Sequence, residues 1–288
     1  MKHTAMTLAA SLLLAATLAS CCAQKPAAEK KEMGIQLYSM RDAFFHCDGN
    51  YRPILDSLAA WGYTSVELFG YGDGKVLGYP CDEFKANAEE AGLKIISSHV
   101  GHDLTAEEKA NHDFTAALEW WKQCIADHKA MGCRYLVTAG VGVPATIDEL
   151  QTICDYFNEI GKLCAAEGMQ YGYHNHSHEF RRVEGQVMYD YMIQHTVPAN
   201  VFFEMDVYWA VVGGAAPCEY FRTYPGRFSV LHIKDLCTLG ESGMVGFDAI
   251  FNATDVSGMK DYVVEVECDP YPSVKNSAIY LQNAPFVK

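Results

Sequence analysis

Gly168-Met-Gln-Tyr-Gly-Tyr-His-Asn-His-Ser-His-Glu-Phe180 is the stretch from which the rest of the chain is read. Gly168 ends an amphipathic segment whose apolar positions, among them Leu150, Ile153, Phe157, Ile160 and Cys164, recur near the helical period. Met169–Asn175 then has the composition of a short strand and runs straight into His174, His176, His178 and Glu179. Period-two spacing on an extended chain turns the three imidazoles to one side. Imidazole with carboxylate is the usual ligand chemistry for zinc, manganese and related divalent ions, although a hydrogen-bonded polar patch has the same composition.

This unit of helix, C-terminal glycine and strand recurs. Gly62, Gly92 and Gly132 close earlier helical patterns just as Gly168 does. Strands are expected at Met33–Tyr38, Ser65–Phe69, Lys94–His99, Arg134–Thr138, Met169–Asn175, Val201–Asp206, Ser229–Lys234 and Tyr262–Glu267. Eight strands alternating with helices at a spacing of roughly thirty residues predict an α/β fold, a single (β/α)8 TIM barrel over residues 33–288. Gly70-Tyr-Gly-Asp-Gly-Lys75 lacks the dinucleotide-binding spacing and reads as a flexible loop. Walker A, G-x-S-x-G and H-E-x-x-H patterns are absent from the sequence.

Residues 1–20 read as a signal peptide: Met6–Leu18 is apolar but too short for a permanent span. Leu18-Ala-Ser-Cys21 looks like a bacterial lipobox, which makes Cys21 the lipidated residue, residues 21–32 a tether, and the protein exported and lipid-anchored on the periplasmic side of a bacterial membrane. The formal charge of −14 is spread along 288 residues, which argues against a nucleic-acid partner. Homo-oligomerisation is left open. Nine cysteines lie in the barrel region, with no C-x-x-C pair to suggest which are bridged.

In a barrel, chemistry gathers at the C-terminal ends of the strands. The expected strands end in Gln36 and Tyr38, Glu67, His99, Thr138, the histidine cluster, Glu204 and Asp206, His232 and Lys234, and Glu265 and Glu267. Preceding positions are apolar, so the polar residues converge rather than scatter. Gln36, Glu67, His99, His174, His178, Trp209 and Glu267 are the expected substrate contacts. His102, His112 and His128 are read as surface residues. Asp206 could instead cap a helix, and Glu204 could pair with Lys234.

Val201-Phe-Phe-Glu-Met-Asp-Val-Tyr-Trp209, Val230-Leu-His-Ile-Lys-Asp235, Val263-Val-Glu-Val-Glu267 and Tyr173-His-Asn-His-Ser-His-Glu-Phe180 resemble the xylose-isomerase-like sugar isomerase/epimerase superfamily. Gly34-Ile-Gln-Leu-Tyr-Ser-Met-Arg-Asp42 and Gly62-Tyr-Thr-Ser-Val-Glu-Leu-Phe69 resemble its first two strands. The resemblance implies one divalent ion (Mn, Zn, Mg or Co) held by Glu179, Asp206, His232 and Glu265. Either Glu179 turns back to that ion or a histidine of the cluster replaces it; Glu179 is preferred. The implied reaction is proton abstraction beside the carbonyl of a neutral keto-sugar or glycoside, giving isomerisation or epimerisation. Glu179 or Glu265 is the expected base, with the opposite carboxylate returning the proton; where a β-leaving group is lost instead, Lys234 or a cluster histidine such as His176 would protonate the leaving oxygen. A lyase on 3-keto-glycosides would use the same first step. Apurinic endonucleases share the barrel, but the charge here suits DNA poorly. A lipid-anchored sugar-binding protein without catalysis is the remaining class.

Overall fold

The computed structural model describes residues 31–268 and 270–288. The expected signal peptide, Cys21 and most of the tether therefore lie outside the described residues. Eight parallel strands form a closed barrel: β1 Gly34–Gln36, β2 Ser65–Leu68, β3 Lys94–His99, β4 Tyr135–Thr138, β5 Gln170–His174, β6 Val201–Asp206, β7 Val230–Lys234 and β8 Asp261–Glu265. Each strand pairs with its neighbours in sequence, and β8 closes on β1 through Gly34↔Val263 and Ile35↔Val264. Helices including Arg52–Trp61, Thr115–Met131, Ile147–Ala166 and Pro270–Asn283 complete the (β/α)8 arrangement. Gly62 and Gly132 sit in the left-handed region as C-caps, a conformation that costs a residue without Cβ least.

The apolar stripe of Ile147–Ala166 buries Leu150, Cys154, Phe157, Ile160 and Cys164. Gly161 is needed there because a Cβ would meet the Asn200 carbonyl oxygen at 2.2 Å. The barrel's floor is a separate apolar cluster of Ile96, Tyr135, Val137, Phe202, Val230 and Val263. Gly172 on β5 leaves room for the Phe202 ring, which would lie 2.5 Å from an added Cβ. The register between β2 and β3 slips between Val66 and Glu67, so that Ser97 rather than Ile96 stands opposite Glu67. Such irregularities re-aim side chains next to functional sites.

Three expectations are corrected, and the bridging of the cysteines, left open by the sequence, is resolved. Gly70–Pro80 is not a plain flexible loop: Tyr71–Gly72, Lys75–Val76 and Tyr79–Pro80 pair as a small antiparallel sheet, anchored by Val76 in the core and by Tyr71 donating to Asp127 at 2.6 Å. Lys31 is not free tether, since its ammonium donates to the carbonyls of Leu281 (3.0 Å) and Ala284 (2.6 Å). His128 is buried rather than superficial, because it follows Trp121, Cys124 and Ile125 on the core face of its helix. Cys237 and Cys268 form a disulfide joining the loops after β7 and β8, and the other seven barrel cysteines are free.

Candidate active site

Alternate residues of β5 to β8 build one buried cluster. Register sets Asp206 beside His232, Glu204 beside His174, and Glu265 beside Lys234. His174, Asp206, His232 and Glu265 each present a ligand atom, and all four atoms lie within 4.8 Å of one another. His174 Nδ1, Asp206 Oδ2 and His232 Nδ1 are buried without a hydrogen-bond partner. Leaving such atoms unsatisfied is costly: His174 Nδ1 faces Glu204 Oε2 at 3.4 Å, while Asp206 and His232 belong with His174 and Glu265 to the four-donor set, an arrangement that a cation would relieve. Two imidazole nitrogens and two carboxylates suit zinc, manganese and related divalent ions.

Surrounding bonds aim these atoms inward. Asp206 uses its other oxygen to accept the Trp209 N–H at 2.7 Å, capping the next helix, so the capping and clustering readings of this residue both hold. Asn175 clamps β5 to β6: its amide oxygen accepts the Asp206 N–H at 3.2 Å, and its amide nitrogen donates to the Asp206 carbonyl at 3.3 Å. Sequence reasoning passed over Asn175. Its only signal was its place between two histidines, facing the opposite way. His232 Nε2 donates to Glu67 Oε1 at 2.7 Å, which fixes the tautomer and leaves Nδ1 as the free acceptor.

Beneath lies a second polar layer. Gln36 donates to Glu67 Oε1 at 2.8 Å, Ser97 donates to Oε2 at 2.5 Å, and His99 Nε2 lies 2.7 Å from Glu204 Oε2 and 3.0 Å from Glu67. Gln36 and Glu67 are fully buried in this network, so they support the cluster from below and do not open to the mouth as substrate contacts. Glu204 faces His99 and His174 rather than pairing with Lys234. Lys234 pairs instead with Glu267 at 2.7 Å and faces Glu265 at 3.6 Å.

Glu179 stands apart from the cluster, contrary to the sequence expectation. It accepts the Tyr173 hydroxyl at 2.7 Å and the His176 N–H at 2.9 Å, and it lies 3.3 Å from His178 Nε2. A one-turn helix, His178–Phe180, carries it to the side of β5 that Tyr173 faces, and His174 takes the β5 place in the cluster. His176, His178 and Trp209 line an open mouth of about 480 Å3. His176 Nδ1 and Trp209 Nε1 there have no hydrogen-bond partner.

Burial pushes the Asp206 carboxyl up to about 8 and Glu204 up to about 7. Burial acts the same way on Glu265, but His232, whose Nδ1 lies 3.6 Å away, and Lys234 overcome it and bring this carboxyl down to about 2. Burial lowers His99, yet Glu67 and Glu204 together carry it up to about 10. Burial holds His174 well below the usual imidazole value, followed by repulsion from His232 and His99. A neutral imidazole is the form that ligates metal.

Fold and site thus define a TIM barrel with a buried four-donor cluster at the C-terminal ends of its strands. A family model described as xylose isomerase-like TIM barrel matches residues 55–287, and the chain belongs to that family. It is similar to a sugar phosphate isomerase/epimerase structure from Parabacteroides distasonis ATCC 8503, at 40% identity, covering 90% of this chain and all of that one, with a TM-score of 0.81. A second structure so described, from the same organism, is 34% identical over 92% of this chain and 98% of that one, with a TM-score of 0.83. The inosose dehydratase of Bacillus cereus (strain AH820) is 24% identical over 149 residues, 43% of this chain and 49% of that protein. The match spans about half the length of the curated relatives it reaches.

Proposed function

We propose that this protein is a divalent-metal-dependent sugar isomerase or epimerase that removes a proton beside a carbonyl. The observation that carries the reading is the buried four-donor set of His174, Asp206, His232 and Glu265, in which Asp206 Oδ2 and His232 Nδ1 have no hydrogen-bond partner. These four residues would hold the ion. When bound, it would polarise the carbonyl and neighbouring hydroxyl oxygens and stabilise negative charge developing there.

The chain's own groups do the rest. His176 lines the mouth, with its Nδ1 buried and unpartnered, and its imidazole is the candidate base, replacing Glu179, whose carboxylate is engaged with Tyr173 and the loop backbone. Lys234, paired with Glu267 and 5.6 Å from the Trp209 ring centroid, is placed to return a proton. Trp209 offers a face for a sugar ring. Cations at these strand ends are already engaged: Lys234 by its carboxylates, Arg41 by the carbonyls of Tyr38 and Glu267. That favours a neutral keto-sugar or glycoside over a phosphorylated one. Elimination from a 3-keto-glycoside shares the first step, and similarity to a dehydratase supports it as the second reading.

The test is solvent-deuterium incorporation, followed by NMR, into 3-keto-glucosides and free ketoses with manganese added. Exchange at the carbon beside the carbonyl is expected. Bound metal without exchange on any of these substrates would overturn the enzymatic reading. We also propose export as a lipoprotein through Cys21. The Cys237–Cys268 bridge supports this, since such bonds persist in oxidising compartments. Cys21→Ser should release the protein from membranes; retention there would refute the anchor.

A further inference from the structure

A second cavity, of about 800 Å3, opens beside the mouth, between the loop after β3, the loop after β4 and the helix Ile147–Ala166. That volume matches a drug-sized ligand by itself. Leu104, Val143, Ile153, Tyr156 and Phe157 supply much of its lining, and Val143 stands 41% exposed. The hydroxyls on these walls are already used, that of Thr152 by the Asp148 carbonyl at 3.0 Å. The Tyr156 hydroxyl donates to the His102 carbonyl at 3.0 Å and accepts the Trp121 indole N–H at 2.7 Å. The Thr138 hydroxyl donates to the Val100 carbonyl at 3.2 Å and lies 2.7 Å from the Tyr171 hydroxyl. The inner wall of Leu104, Tyr156 and Phe157 therefore presents apolar surface, whereas the charged residues that line the cavity, Asp103, Lys109, Asp148 and Glu149, are exposed.

This cavity and the mouth are neighbours. Asp103, Val141 and Gly142 line both. The shared wall is pinned by the cluster side: His178 Nε2 donates to the Val141 carbonyl at 2.8 Å, and the Val141 N–H donates to the Tyr173 hydroxyl at 3.0 Å. A ligand whose sugar ring sits by His176 and Trp209 can therefore extend over Gly142 into the second cavity.

We infer that the second cavity is an aglycone subsite, and that the substrate is a glycoside carrying an aromatic or otherwise largely apolar aglycone. A second sugar is disfavoured because the buried inner wall leaves few free donors and acceptors for its hydroxyls. The inference rests on the sugar-directed reading of the metal cluster, and its test separates the two. Matched methyl and 4-nitrophenyl 3-keto-glucosides are compared on the manganese-loaded protein, and binding of the unoxidised parent glucosides is measured by calorimetry. The aryl compounds should have a KM and a Kd lower by about tenfold or more, the effect of burying one ring. Ile153→Trp, which fills the cavity, should remove the difference between the two. Val143→Trp at the exposed side should do the same without disturbing the core.

Equal handling of both compounds, unchanged in the two variants, would overturn the subsite while leaving the sugar chemistry intact. Tight aryl binding lost in both variants, with no turnover of either compound, would keep the subsite and overturn the reaction it rests on. Neither binding nor turnover would overturn both.

Discussion

Glu67→Gln tests how the cluster is aimed. Glu67 touches no ligand atom of the four-donor set; it acts through His232, whose Nε2–H it accepts at 2.7 Å. Glutamine keeps the shape, and Gln36 and Ser97 can still bond to it, but the charge that holds His232 in the required tautomer is gone. Partners of this kind are worth about 10- to 100-fold in metal affinity, or about 1.4 to 2.7 kcal/mol. The assay is competition of the folded protein against a chelator for zinc and manganese. His99 also approaches Glu67, at 3.0 Å, so the substitution is repeated in a His99→Gln background. The loss should persist there and vanish in a His232→Gln background, where its route is cut. Wild-type affinity in Glu67→Gln, or a loss that survives His232→Gln, would refute the assignment.

Three other outcomes follow from particular contacts. Asp206→Asn and Glu265→Gln should lose bound metal by elemental analysis, whereas Glu179→Gln should keep it and raise KM by loosening the loop that carries His176; metal loss in Glu179→Gln would return that residue to the cluster. Burial holds His128 down to about 4, below the unfolded value near 6.5, so its contribution is present above pH 6.5 and lost as pH falls through 4. The slope amounts to about 3 kcal/mol in urea unfolding, and His128→Gln should flatten it; parallel pH profiles would contradict this. Gly161→Ala should cost about 1–3 kcal/mol despite alanine's better helix propensity, because its Cβ meets the Asn200 backbone; an unchanged melting temperature would show that the helix can move.

The barrel was legible because strand and helix patterns alternate at an even spacing and each expected strand runs through apolar positions to a polar residue at its end. Asp206, His232 and Glu265 could be picked out for that reason, and register then brings them together. The β5 donor was not legible. Choosing between His174 and Glu179 requires knowing that a single helical turn reverses the chain after Ser177, and adjacent polar residues look alike in a list. Glu67 and His99 were visible as strand-end residues, but their place below the cluster depends on the slipped register between β2 and β3. Cys237 and Cys268 are separated by 31 residues, and only the closed ring sets them in neighbouring loops.

The apolar floor has a kinetic consequence. Ile96, Phe202, Val230 and Val263 plug the barrel below the polar layer, and Tyr135 donates to Asp261 at 2.7 Å beside them. The cluster therefore lies above an apolar floor, at the C-terminal ends of the strands. On the proposed reading, an ion would arrive before a sugar, and a seated sugar would stand in its way out. Saturating ligand should accordingly slow the exchange of bound metal with free metal, making the order of loading a property of the barrel's shape rather than of any one side chain.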